Sequence, residues 1–205
     1  LDMNNVEGAT IPVELAWKPK LTLFDGLPGE YKLGALYSTA EAKDVKTTGK
    51  VHDGKQSFWL NAQQQLTQQG ADPKRGLYIS FNGVINDKAT TTVQSTQQIA
   101  LWYKGPLENR PNDSVGFGLA NYVVNERVQD RQIATNQSRG YDRYDAFSSD
   151  YTPIQRDELN VELNYTYQWS PAVMLRPNLQ YIHQPSGVKE VDDAWVAGLS
   201  MRVNF

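Results

Sequence analysis

Polar side chains occupy every second position along three stretches near the end of this 205-residue chain. Glu158, Asn160 and Glu162 alternate with Leu159, Val161 and Leu163, while Arg176, Asn178 and Gln180 alternate with Leu175, Pro177 and Leu179. Arg202 sits between Met201 and Val203 in the last stretch. Carboxylates and amide oxygens accept hydrogen bonds, amide nitrogens donate them, and Arg presents a planar fork of donors. A wall of such groups can exchange hydrogen bonds with a hydroxyl-rich solute while binding it weakly enough to let it go. Glu162, Arg176 and Arg202 fall on three consecutive segments at the polar parity of each. They either face one another as a selective wall or neutralise one another in a wet interior. Trp102 also falls on the polar parity of its segment, between Leu101 and Tyr103. There its ring would stack on the apolar face of a cyclic polyol, unless a one-residue bulge turns it outward.

Covalent chemistry finds little support. The chain has two histidines, His52 and His183, and no cysteine, so no thiolate metal site or disulfide is expected. A Ser-His catalytic pair would have to use one of those histidines, and no G-x-S-x-G elbow is present. Glu158 and Glu162, four residues apart on one strand face, lie about 13 Å apart at strand rise. Paired glycosidase carboxylates of the retaining type need about 5 Å. No enzyme activity and no cofactor are expected. A net charge of -3 gives no basic footprint for nucleic acid.

The elements that must hold these residues are strands, because the alternation has period 2. Trp195, Ala197, Leu199, Met201, Val203 and Phe205 share one face of the last strand, and Leu159, Val161, Leu163, Tyr165, Tyr167 and Trp169 share one face of another. Similar patterns run through 11–17, 31–37, 77–85, 99–103 and 115–119, with less regular ones at 58–66 and 173–183, where Pro177 intervenes. About nine strands result, of the length expected for tilted membrane strands. No stretch is apolar enough for a spanning helix, and no segment shows a 3.6-residue period. The expected fold is all-β, an antiparallel transmembrane β-barrel forming a single domain over 1–205. A soluble β-sandwich alternates in the same way and is the competing arrangement. Connections alternate between short turns and long polar loops, as they do between the two sides of an outer-membrane barrel. Aromatic residues collect at both strand ends: Trp17, Tyr31, Tyr103, Tyr167, Trp169 and Phe205 at the short-turn side, Tyr37, Phe58, Tyr181 and Trp195 at the other. The loop residues Arg127, Arg131, Arg139, Tyr141, Arg143 and Tyr144 form a basic and aromatic cluster, placed to fold into a pore or to cover its mouth.

Several motifs resemble the carbohydrate-selective porin (OprB) family: 27–34 (LPGEYKLG), 76–78 (GLY), 105–118 (GPLENRPNDSVGFG) and 175–185 (LRPNLQYIHQP). They keep the family's order over nearly the whole chain. The resemblance implies a 16-stranded channel in the bacterial outer membrane that passes small sugars by diffusion. Family members are about twice as long and these motifs belong to their C-terminal half, so the N-terminal half of the barrel is expected to be missing or on a separate chain. Outer-membrane assembly machinery would engage the terminal Phe205. Two other readings stay open: a non-conducting structural or adhesive barrel that binds partners through its loops, and a general charge-selective porin.

Overall fold

The structure is a computed structural model that describes residues 8–145 and 147–204. Its elements in chain order are β1 (Thr10–Trp17), β2 (Gly29–Ser38), β3 (Ala42–Lys43), β4 (Val51–His52), β5 (Lys55–Gln65), β6 (Gly76–Asn86), β7 (Val93–Lys104), β8 (Ser114–Val124), α1 (Glu126–Ser138), β9 (Glu158–Gln168), β10 (Val173–His183) and β11 (Ala194–Val203). Nine strands form one antiparallel sheet in the order β1-β2-β5-β6-β7-β8-β9-β10-β11. Each strand therefore pairs with its neighbours in sequence, apart from the small β3–β4 hairpin inserted between β2 and β5. Among the described residues the sheet does not close: β1 pairs only with β2, and β11 only with β10.

Alternation decides which face each residue takes. Leu15, Leu33, Leu163, Leu199 and Met201 project from one face and stay largely exposed, Leu15 at 72% and Leu199 at 71%. A sandwich would cover that face with a second layer. The only other sheet among the described residues is the β3–β4 pair, so the sandwich reading fails and the apolar face is left for lipid. Along this face most aromatic residues sit near strand ends, and Phe81, midway along β6, is an exception. Trp17 packs on Tyr31 at the short-turn end, and Tyr181 on Trp195 at the long-loop end. Phe205 lies outside the described residues.

Pro177 lies inside β10, opposite Leu199 of β11. Lacking an N–H, it cannot complete the ladder. Pairing with β9 is interrupted between Leu175 and Asn178, and it resumes in register on both sides. The strand tolerates the proline by giving up one local stretch of pairing on a single side.

Helix α1 corrects the expectation that no segment is helical. Asn125 caps it, its side-chain oxygen accepting from the Arg127 N–H. Its buried positions are Val128, Gln132 and Asn136, four residues apart on one face. Gln132 and Asn136 hydrogen-bond to Gln155 and Thr152, tying the helix to the segment that leads into β9. The face is mostly polar, so an apolar period does not reveal it.

At this long-loop end the chain builds a small packed cap. Val45 and Val128 are buried, and the Val45 N–H donates to the Ala89 carbonyl. Asn125 Nδ2 donates to the carbonyls of Lys88 and Thr91. Asp44, whose side chain is fully buried, accepts from Arg127 through both oxygens at 3.0 and 2.8 Å. His52 Nε2 lies 2.8 Å from its Oδ2, and Lys46 pairs with Asp130. Hydrogen bonding from His52, then from the Thr47 and Lys46 amides and from Arg127, holds the Asp44 carboxyl far below the usual carboxylate range. Such a depressed carboxyl stabilises the docked loops above its unfolded value of about 4, and that contribution fades as pH falls through the lower folded value. Spin labels on Thr48 and Ala134 should therefore give one narrow distance distribution at neutral pH. Asp44→Asn or Arg127→Ala should broaden it, and acidification well below pH 4 should broaden it in the parent protein. The Asp44→Asn variant should lose that acid response.

Candidate functional site

The second face of the sheet carries the polar side chains, and the ladder register sets which of them lie side by side. One row crosses the sheet as Gln180, Glu162, Gly118, Ala100, Ser80, Gln63 and Glu30. The next row toward the short turns reads Asn178, Asn164, Gly116, Trp102, Tyr78 and Gln65. Small residues on β7 and β8 thus leave a trough between a polar wall on β9–β10 and aromatic residues on β6–β7.

Glu162 is the centre of the polar wall. Its Oε1 accepts from Asn164 Nδ2 at 2.8 Å and from Arg176 at 3.5 Å. Its Oε2 accepts from Gln180 Nε2 at 2.6 Å and Asn178 Nδ2 at 3.2 Å. Asn160 Nδ2 donates to Glu158 Oε1 at 2.9 Å, and Glu158 Oε2 accepts the Ser186 N–H. Six of the expected residues, Glu158, Asn160, Glu162, Arg176, Asn178 and Gln180, are therefore neighbours on one wall.

Arg202 is not among them. β11 sets it opposite Met174, while Ser200 stands opposite Arg176. Its Nε donates to Asn204. Parity puts Arg202 on the correct face, but register moves it toward the short-turn end, away from Glu162. The expected three-residue group reduces to the Glu162–Arg176 pair.

Trp102 takes the inner face as its parity requires; the irregularity in the β7–β8 register lies at Val93–Ser95, near the other end. Its ring stacks on Tyr78 at a centroid distance of 5.3 Å and an angle of 7°. Trp59 is an inner-face aromatic that polar patterning misses, although its parity with Asn61 and Gln63 marks it. The Trp59 indole lies over Gly34, where a Cβ would come within 2.0 Å of a ring carbon, and its N–H donates to Glu14 at 2.7 Å. Of the loop cluster, Arg127 is committed to Asp44, Arg139 donates to the Asp150 carbonyl, and Tyr141 and Tyr144 pack edge-on against Tyr151.

Two hollows flank the Glu162 row. One, of about 300 Å³, is lined by Asn82, Gln98, Tyr122, Asn160, Glu162 and Gln180. The other, of about 310 Å³, is lined by Trp102, Gly116, Gly118, Glu162, Asn164 and Arg176. Each is near the lower size limit of small-molecule sites. Their walls offer hydrogen-bond donors, acceptors and one aromatic side, and no residue there is set up as an activated nucleophile.

Residues 1–205 match the carbohydrate-selective porin, OprB family. The chain is 79% identical over 205 residues to a porin named QuiX from Acinetobacter baylyi, covering all of this chain and 47% of that protein. It is 44% identical over 214 residues to Porin B of Pseudomonas aeruginosa, covering 98% of this chain and 46% of that protein. The high-pH structure of Pseudomonas putida OprB superposes with a TM-score of 0.92 at 42% identity, over 98% of this chain and 50% of that one. The chain spans about half the length of the curated relatives it matches.

Gly34 supplies a direct test of the inner-face packing. In Gly34→Val the added side chain would occupy the place of the Trp59 ring, forcing it off the wall and away from Glu14. The folded barrel should lose about 1 to 3 kcal/mol, the usual cost of overpacking. Urea titration read by heat-modifiable gel mobility should show an earlier midpoint, and Gly34→Val with Trp59→Ala should recover most of the loss.

Proposed function

Because this chain belongs to the carbohydrate-selective porin, OprB family, a β-barrel family of the bacterial outer membrane, we propose that its sheet is one wall of a passive channel for small carbohydrates. The observation that carries this reading is the Glu162 wall. A carboxylate, three amides and an Arg meet beside hollows of about 300 and 310 Å³ that small residues keep open. The amides that the carboxylate gathers offer replacement partners for the water that a hydroxyl-rich solute sheds. Trp102 adds an aromatic edge to the hollow of about 310 Å³, against which the apolar face of a sugar ring can rest. Glu158 and Asn160 extend the hydrogen-bonding surface toward the long loops, and Arg202 extends it toward the short turns. No step here calls for a catalytic group, a metal or a cofactor.

The short-turn end would face the periplasm and the long loops the outside, following the usual asymmetry of such barrels. The capped helix and its loops would then stand at the outer mouth. The terminal Phe205 would serve as the contact for outer-membrane assembly machinery, and the remaining wall of the channel would come from strands beyond these nine.

Planar-bilayer recording on the intact channel that contains these strands tests the proposal. Stepwise conductance that glucose reduces in a concentration-dependent way is the expected result. Arg176→Ala should shift ion selectivity toward cations, because it removes the positive partner of Glu162. Conductance indifferent to sugar would make this a general porin, and an absence of channels would point to a structural or adhesive barrel.

A further inference from the structure

Glu162 uses its oxygens on the protein itself, and this determines how its neighbours face the lumen. An ionised carboxylate only accepts hydrogen bonds, so each amide beside it must turn its NH₂ toward it. Asn164, Asn178 and Gln180 all do so. The carbonyl oxygen of each amide is thereby turned away from Glu162, and none of the three accepts a hydrogen bond among the described residues. Two glycines keep the flanks of these oxygens clear. A Cβ on Gly198 would sit 2.3 Å from Asn178 Oδ1, and one on Gly116 would sit 2.9 Å from Asn164 Oδ1. One row toward the long loops the pattern differs: Glu158 holds the Asn160 NH₂, but Asn160 Oδ1 is buried and faces no solute.

We propose that Glu162 is a positioning residue that makes this wall an acceptor-rich subsite for neutral hydroxyl donors. It fixes three amides with their carbonyl oxygens toward the lumen. A hydroxyl-rich ring in either hollow donates to oxygens already oriented for it, while Glu162 itself stays occupied by protein donors. The same wall disfavours anionic solutes, since it shows them oxygens instead of N–H groups. Arg176 is the one cation in the network and lies on the short-turn side of it. The proposal rests on the sugar-channel reading above and assigns a specific task within it.

The test is glucose block of the intact channel in planar bilayers, with ion selectivity measured alongside. Glu162→Gln keeps the shape but lets its own amide compete for either orientation of the neighbours. Its glucose block should weaken roughly three- to tenfold, as expected when one or two hydrogen bonds to the solute are lost. Gly198→Ala leaves every charge in place and pushes the Asn178 amide aside. It should weaken glucose block with ion selectivity unchanged, and it decides the matter should Glu162→Gln fail to assemble. A parent-like glucose block in Gly198→Ala, or a Glu162→Gln channel altered in ion selectivity alone, would overturn the positioning role and leave the sugar channel standing. A parent channel that conducts without any glucose block would overturn both.

Discussion

A chain that crosses hydrocarbon must pair its backbone N–H and C=O groups within the protein, because lipid offers them no partners. The whole structure follows from that constraint. Nine strands satisfy one another along eight antiparallel pairings. Once the ladder is formed, alternate side chains have no choice of face, and the sequence needs only to match each face to its surroundings. Two prolines lie within this pairing and show how local the requirement is: Pro12 stands opposite Leu36 on β1, and beside Pro177 the ladder opens toward β9 and closes again without a change of register.

Because side-chain packing is not what holds this sheet together, its inner face is free to be small, polar and hollow. Gly116, Gly118 and Ala100 contribute nothing to a core and instead make room. The wall next to them is ordered by hydrogen bonds, with one carboxylate satisfying four donors from β9 and β10. The result is rigid polar geometry, obtained without dense apolar packing.

Much of this was legible from spacing. Period 2 in 158–168 and 195–205 identifies strands, and it puts Glu162, Arg176, Asn178, Gln180 and Trp102 on the face where they are found. Family motifs such as 105–118 then agree with the barrel. Register was not legible, because parity tells which face a residue occupies and says nothing of its height. Arg202 shows the difference: it sits on the right face but opposite Met174, out of reach of the group it was expected to join. Helix α1 escaped because its packed side chains include Gln132 and Asn136, whose partners come from a loop that the sequence does not align with it. Trp59 was hidden among glutamines and asparagines: its parity marks the face, and its indole lying on Gly34 shows its place there.

The buried valines Val45, Val124 and Val128 all belong to the cap or its junction with β8. This region is built like a water-soluble miniature protein, with an apolar nucleus, a capped helix and a buried carboxylate held by Arg127 and His52. The cap and the strands are thus governed by different solvents. Acidity reaches the first directly through water, whereas acyl-chain length and lateral pressure bear on the second.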